Sequence, residues 1–171
     1  MLYIISQVFV IASYAFLAFT YFNKDRKKIL VLSFLAVASN AIAFVFLGAL
    51  AGFFMSVIAM IRNIVFIYRG KDKIEYIDYI ILVILYLVSI VSAYFTYTGV
   101  LSLFSMLGTM IYTYSAWQKN PKIYKILGIP ASLCWIIYNI YVKSIFGIIL
   151  ETALLAFELV GTIKAYKKIE K

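Results

Sequence analysis

Seven long apolar runs, separated by polar connections of a few residues, leave this chain little choice of fold. They cover residues 2–22, 29–47, 49–68, 76–96, 98–117, 122–142 and 144–166. A helical membrane span takes about 20 apolar residues, and each run is close to that length. The runs lack the period-two alternation of barrel strands, and open sheet edges cannot face lipid, so the expected element is the helix. No basic stretch precedes the first run, and it is too long for the apolar core of a signal peptide, so it reads as a span. The second and third runs continue from Ile29 to Tyr68 with no charge before Arg62. A single helix of that length would measure about 60 Å, against a hydrocarbon core of about 30 Å. The chain must turn, and Gly48 with Gly52 marks the place; runs six and seven turn near Lys143.

Composition narrows the chemistry. Apolar residues make up 65% of the 171 and charged residues 13%, where a soluble domain is about half apolar and a quarter charged. A soluble globule and a disordered chain are both excluded. There is no histidine and one cysteine, Cys134. That removes a histidine base, most zinc sites, iron–sulfur ligation and an intrachain disulfide. No nucleophile–base constellation can be assembled, so neither an enzyme nor a cofactor or metal is expected. Cys134 reads as a small core residue.

The net charge of +9 is first a topology signal. Lys24, Arg26, Lys27 and Lys28 follow run one, and Arg69, Lys71 and Lys73 follow run three. Lys119, Lys122 and Lys125 follow run five, and Lys164, Lys167, Lys168 and Lys171 close run seven. With seven spans all of these fall on one side, leaving Lys143 on the other and Arg62 within a span. Basic loops stay in the cytoplasm, so the expected orientation is N-terminus outside and C-terminus cytoplasmic. Nucleic acid is not an expected partner.

Basic clusters after runs one, three, five and seven suggest two three-helix units joined by run four: residues 1–69, a linker helix at 70–97, and residues 98–171. A shift of 95 positions carries Phe22-Asn23-Lys24 onto Trp117-Gln118-Lys119. It also carries Leu32 onto Leu127, Ala36 onto Ala131, Ile42 onto Ile137, Gly52 onto Gly147 and Val65 onto Val160. An odd linker helix gives both units one orientation, a parallel pseudo-repeat about an axis along the membrane normal, with the substrate site between the halves.

Charged side chains inside lipid cost about 2.5–3.5 kcal/mol each on insertion scales, so each needs a reason. Run three holds Ser56, Arg62 and Asn63; run seven holds Glu151 and Glu158. The same shift lays Ser56 on Glu151 and Asn63 on Glu158, and each pair lies on one helix face. Arg62 has two readings: it snorkels to the nearby interface, or it pairs with Glu158, which lies at nearly the same depth. Glu158 is then either a structural ion-pair partner or part of a polar site. Glu151 has no basic residue at its depth, and a buried carboxylate of that kind can line a pocket or carry a proton. Trp135 and Asn139 share one face of run six and serve either a pocket or helix packing. Ser39 and Asn40 are their counterparts in the other half. Pro130 bends run six, as a hinge or as a plain kink. The tyrosines near predicted ends, such as Tyr21, Tyr68, Tyr76, Tyr97 and Tyr141, form an aromatic belt.

Trp135-Ile-Ile-Tyr138-Asn139, followed by Ser144-Ile-Phe-Gly147 and Glu151, resembles the C-terminal signature of the YgjV-like bacterial inner-membrane proteins. Leu47-Gly48-Ala49 through Gly52, with Ile61-Arg62-Asn63-Ile64, resembles the signature of their first half. The likeness covers most of the chain. That family is in turn distantly similar to the PQ-loop and SWEET transporters and the PnuC transporters, which share a three-plus-one-plus-three plan. The resemblance implies an all-α integral membrane fold of seven helices, located in the bacterial inner membrane. It also implies a pocket lined by Ser56 and Glu151 on the third helix of each bundle, and by Trp135 and the Ser39–Asn40 neighbourhood on the second. Two departures stand out: Ser56 replaces an asparagine common in the transporter families, and the Pro-Gln dipeptide is absent from runs one and five. The function expected is a small-solute transporter or facilitator that rocks two bundles about a central site. Its alternative is a non-transporting membrane binding or assembly protein. The partners are a small polar solute, the surrounding lipid and, in a homo-oligomer, a second copy.

Overall fold

The structure is a computed structural model that describes residues 1–70, 74–118 and 120–167, with side chains described except at Tyr21, Pro121 and from residue 160 onward. Lys71, Asp72, Lys73, Lys119, Lys168, Glu170 and Lys171, which enter the charge reading, lie outside the described residues.

The described chain is helical: α1 (Leu2–Phe22), α2 (Arg26–Leu47), α3 (Leu50–Tyr68), α4 (Tyr76–Phe95), α5 (Leu103–Trp117), α6 (Pro121–Tyr141) and α7 (Ile145–Lys167). A short 3-10 turn, Val100–Ser102, precedes α5. Five of these helices, α1 to α4 and α6, are long and apolar enough to cross a membrane.

Local chemistry moves two of the boundaries expected from hydropathy. Helix α2 starts at Arg26 rather than residue 29, because the Asp25 carboxylate accepts from the Lys27 N–H at 2.9 Å and caps the helix. The cap places Arg26, Lys27 and Lys28 in the first turn, where apolar counting cannot see a helix. Helix α5 starts at Leu103 rather than 98, after Gly99 turns the chain with a φ of 142°. Asn120 caps α6 as Asp25 caps α2, accepting from the Lys122 N–H at 2.9 Å.

The turn between α2 and α3 falls at Gly48, in the left-handed conformation at φ 67°. Its N–H donates to Val45 O and that of Ala49 to Phe44 O, which closes the helix in the manner of a Schellman cap. Lys143, between α6 and α7, takes φ 56°, with Lys143 N–H to Ile140 O and Ser144 N–H to Asn139 O.

Six helices close a ring in the order α1, α2, α3, α5, α6, α7 and back to α1, while α4 lies outside against α3 and α5. At one end of the ring the Arg26 guanidinium donates to Phe66 O and Ala116 O, and Lys125 Nζ donates to Asn23 O. Arg69 reaches from the end of α3 to Asp78 (2.9 Å) and Glu75 (2.8 Å) at the start of α4. Those hydrogen bonds, Asp78 first, raise its pKa above the ordinary arginine value. Trp117 Nε1 donates to Asp78 O and fastens α5 to the same corner. At the far end Tyr3 Oη donates to Lys143 O, Phe146 N–H to Gln7 Oε1, and Tyr141 Oη to Thr98 O.

The interior holds many polar groups among its apolar clusters while the exterior is apolar, unlike a soluble globule. Ser6, Gln7, Ser13, Ser33, Ser56, Arg62, Asn63, Glu151 and Glu158 are buried, while Val83, Ile84, Leu87 and Val91 on α4 are exposed. Water would favour the opposite sorting; lipid favours this one, because each polar group exposed to hydrocarbon is costly.

Candidate functional site

A cavity of about 40 Å³ lies at the centre of the ring, and all six ring helices contribute to its wall. Its polar lining is Ser33 and Asn40 from α2, Ser56 and Arg62 from α3, Thr109 and Tyr112 from α5, Tyr124 and Trp135 from α6, and Glu151 from α7. At roughly 10–15 Å³ per water, this space holds about three waters.

Towards the far end the group of interest is Glu151, which is 2% exposed. Tyr14 Oη donates to its Oε2, and Asn139 Nδ2 donates to Tyr14 Oη at 3.4 Å. The other carboxylate oxygen, Oε1, is buried with no partner at full hydrogen-bond geometry, and the buried Ser132 hydroxyl stands beside the carboxylate. The side chain is therefore held by Tyr14, with Ser132 beside it, and Oε1 keeps bonding capacity.

Towards the basic end lies Arg62, also 2% exposed. Its Nε and Nη2 donate to Asn63 Oδ1 at 3.1 and 3.0 Å. Asn63 Nδ2 in turn donates to Ser33 Oγ (3.1 Å), which also accepts from Tyr124 Oη at 3.3 Å. Two of the five guanidinium N–H donors are thus used on a neutral amide. Among the described residues no carboxylate lies within ion-pair distance of Arg62; the ion pairs there are those of Arg69. Both sequence readings of Arg62, the interface and Glu158, give way to this one: the side chain is buried against Asn63.

Of the residues singled out in the sequence, Ser56, Asn40, Arg62, Trp135 and Glu151 line this one cavity. Asn139 and Asn63 stand behind it as hydrogen-bond partners of Tyr14 and Arg62. Glu158 is buried in α7 outside the lining. Ser39 bonds back to Leu35 O on an exposed stretch of α2, away from the cavity.

Tyr14, Tyr112 and Tyr124 escaped the sequence reading, which assigned tyrosines to an interfacial belt. A signal existed for Tyr14: it sits in the middle of its run rather than at an end.

Three glycines let the wall close, and a Cβ on Gly108 would lie 2.8 Å from Trp135 Nε1. A Cβ on Gly52 would lie 2.8 Å from the rings of Phe44 and Tyr138, and the Gly52 N–H donates to Tyr138 Oη at 2.6 Å. A Cβ on Gly147 would lie 2.6 Å from Asn139 Oδ1 and from Ser144 Oγ. Phe44 carries Trp135 on its face, with ring centroids 6.0 Å apart and 17° between planes. Gly52 therefore supports a residue of the cavity through one intermediate ring.

The family model Imp-YgjV, described as a bacterial inner membrane protein, matches residues 4–169. No curated protein and no solved structure gives a significant match. The match spans almost the whole chain, and the protein belongs to this bacterial inner membrane protein family. The family and the five described helices long and apolar enough to span together make it a membrane protein.

Proposed function

We propose that this inner membrane protein is a small-solute transporter, built from two three-helix bundles that rock about the central cavity, with Glu151 as the group that couples solute to protons. The observation that carries the reading is the cavity itself, bounded by all six ring helices and lined in part by residues that a shift of 95 positions exchanges. Asn40 goes to Trp135, Ser56 to Glu151, and the apolar Leu17 to Tyr112.

Local geometry supports the same relation. The caps Asp25 and Asn120, the left-handed residues Gly48 and Lys143 with their paired hydrogen bonds, and the starts of α3 and α7 are all in this register. Phe44 packs on Gly52 as Asn139 packs on Gly147. Exchanging α1 with α5, α2 with α6 and α3 with α7 also turns the α1–α7 contact into the α5–α3 contact. These features suit a parallel three-plus-one-plus-three repeat with α4 as linker, the plan of the SWEET-like transporters, whose sites lie between the halves.

For orientation, Lys24, Arg26, Lys27, Lys28, Arg69, Lys122 and Lys125 gather at the end opposite Lys143, which favours a cytoplasmic basic end. A phosphatase fused after residue 171 is then expected to stay inactive and a fluorescent reporter there to glow. Phosphatase activity at that position would overturn the orientation.

Transport is tested with protein reconstituted in liposomes. A panel of small polar metabolites is first screened by thermal stabilisation, since a ligand of the folded state raises its melting temperature. At least one member is expected to accumulate above protein-free liposomes, and faster with an inward proton gradient. Liposomes that behave as empty towards the whole panel would overturn the transport reading and leave the polar interior as a device for helix association.

A further inference from the structure

Arg62 and Glu151 are opposite charges, each 2% exposed, that line one cavity without forming an ion pair among the described residues. In a low-dielectric interior, opposite charges gain by meeting. The helices hold them apart. Glu151 sits six residues into α7 and Arg62 twelve residues into α3, and both helices start at the far end of the ring. At 1.5 Å rise per residue their backbones differ in height by about 9 Å. Each has spare bonding capacity: Glu151 Oε1 has no donor at full hydrogen-bond geometry, with the Ser132 hydroxyl beside the carboxylate, and Asn63 takes only two of the five guanidinium donors.

We infer that the cavity binds a small zwitterion of the α-amino-acid class, with its carboxylate on Arg62 and its ammonium on Glu151. The inference rests on the central cavity being the solute site, and it names the solute class. A guanidinium is a rigid two-pronged donor that fits a carboxylate in a bidentate pair, and the open Glu151 oxygen accepts from an ammonium. The smallest solutes that carry both charges hold them on adjacent carbons, with a charge-assisted hydrogen bond available to each. A ligand of one sign would satisfy one pole and leave the other buried and uncompensated, which is expensive. The small size of the space, about 40 Å³, makes the smallest member, glycine, the first to test.

Glycine, acetate and methylamine are the probes, compared at equal concentration by thermal stabilisation of the purified full-length protein. Glycine is expected to raise the melting midpoint, and acetate and methylamine, which each keep one pole, to leave it unchanged. Arg62→Gln and Glu151→Gln should each weaken glycine binding by about tenfold or more, as for a lost charged hydrogen bond. If Arg62→Gln does not fold, Arg62→Lys is read instead; it keeps the charge, loses the fork, and should weaken glycine while leaving acetate silent. No stabilisation by glycine, or stabilisation by acetate or methylamine equal to that by glycine, would overturn the zwitterion. A non-zwitterionic panel member carried by the liposomes would also sink this inference and leave the transporter standing. Glycine bound through both poles but never accumulated would do the reverse.

Discussion

Gly52→Val is expected to cost the protein on the order of 3 kcal/mol or more of stability, enough to remove most folded material from a detergent extract. The first added carbon already falls 2.8 Å from the Phe44 and Tyr138 rings. Neither ring can retreat easily: both are buried, at 2% and 1% exposure, and Tyr138 is tied by its hydroxyl to the Gly52 N–H. Close-packed interiors answer such intrusion with strained rotamers or backbone shifts. Gly52→Ala should show a smaller loss of the same kind in a melting series. Combining Gly52→Ala with Phe44→Leu should recover part of the loss, because the two sites then relieve one another. Additive losses in that cycle would mean that the Phe44 contact is not what makes glycine necessary. Gly48→Ala is the control for conformation: its Cβ meets nothing within 4 Å, but φ is +67°, so about 1–2 kcal/mol of backbone strain is expected without steric conflict.

What the sequence made legible follows from how rare each signal is. Long apolar runs have few alternatives, so α1 is expected at 2–22 and found at Leu2–Phe22. The start of α2 was three residues out because Arg26, Lys27 and Lys28 look like a loop to a hydropathy count, whereas Asp25 makes them a first turn. Ser56, Arg62 and Glu151 stood out because so few polar side chains lie in the spans. Tyr14 and Tyr124 did not, because 15 tyrosines blur one another and a hydroxyl adds little to an apolar run. Depth along a helix can be counted from sequence, and it put Arg62 level with Glu158. Azimuth within a ring of six helices cannot be counted, and it is azimuth that turns Arg62 to Asn63 and brings Glu151 to Tyr14.

Glu151→Gln is expected to separate transport from folding, by reducing uptake about a hundredfold, as for roughly 2.7 kcal/mol of lost charge-assisted bonding, while the protein melts no lower than before. Glutamine keeps the volume, and its amide oxygen can still accept from Tyr14 Oη, so the Tyr14–Asn139 support survives. The substitution also removes a carboxylate from a membrane interior, where ionised side chains cost a few kcal/mol. Its effect on stability is therefore neutral or favourable, the opposite sign to its effect on function. Tyr14→Phe serves as the partner variant. It keeps the carboxylate but removes the hydroxyl that fixes Oε2 and receives Asn139, so about 1 kcal/mol of stability should be lost and uptake should fall only in part. Uptake and melting temperature are to be read on the same preparation of each variant. A Gln variant that carries solute at the wild-type rate, with or without a proton gradient, would remove Glu151 from the mechanism. One that loses uptake only in proportion to folded protein would make Glu151 a packing group whose place in the cavity wall has no part in carrying anything.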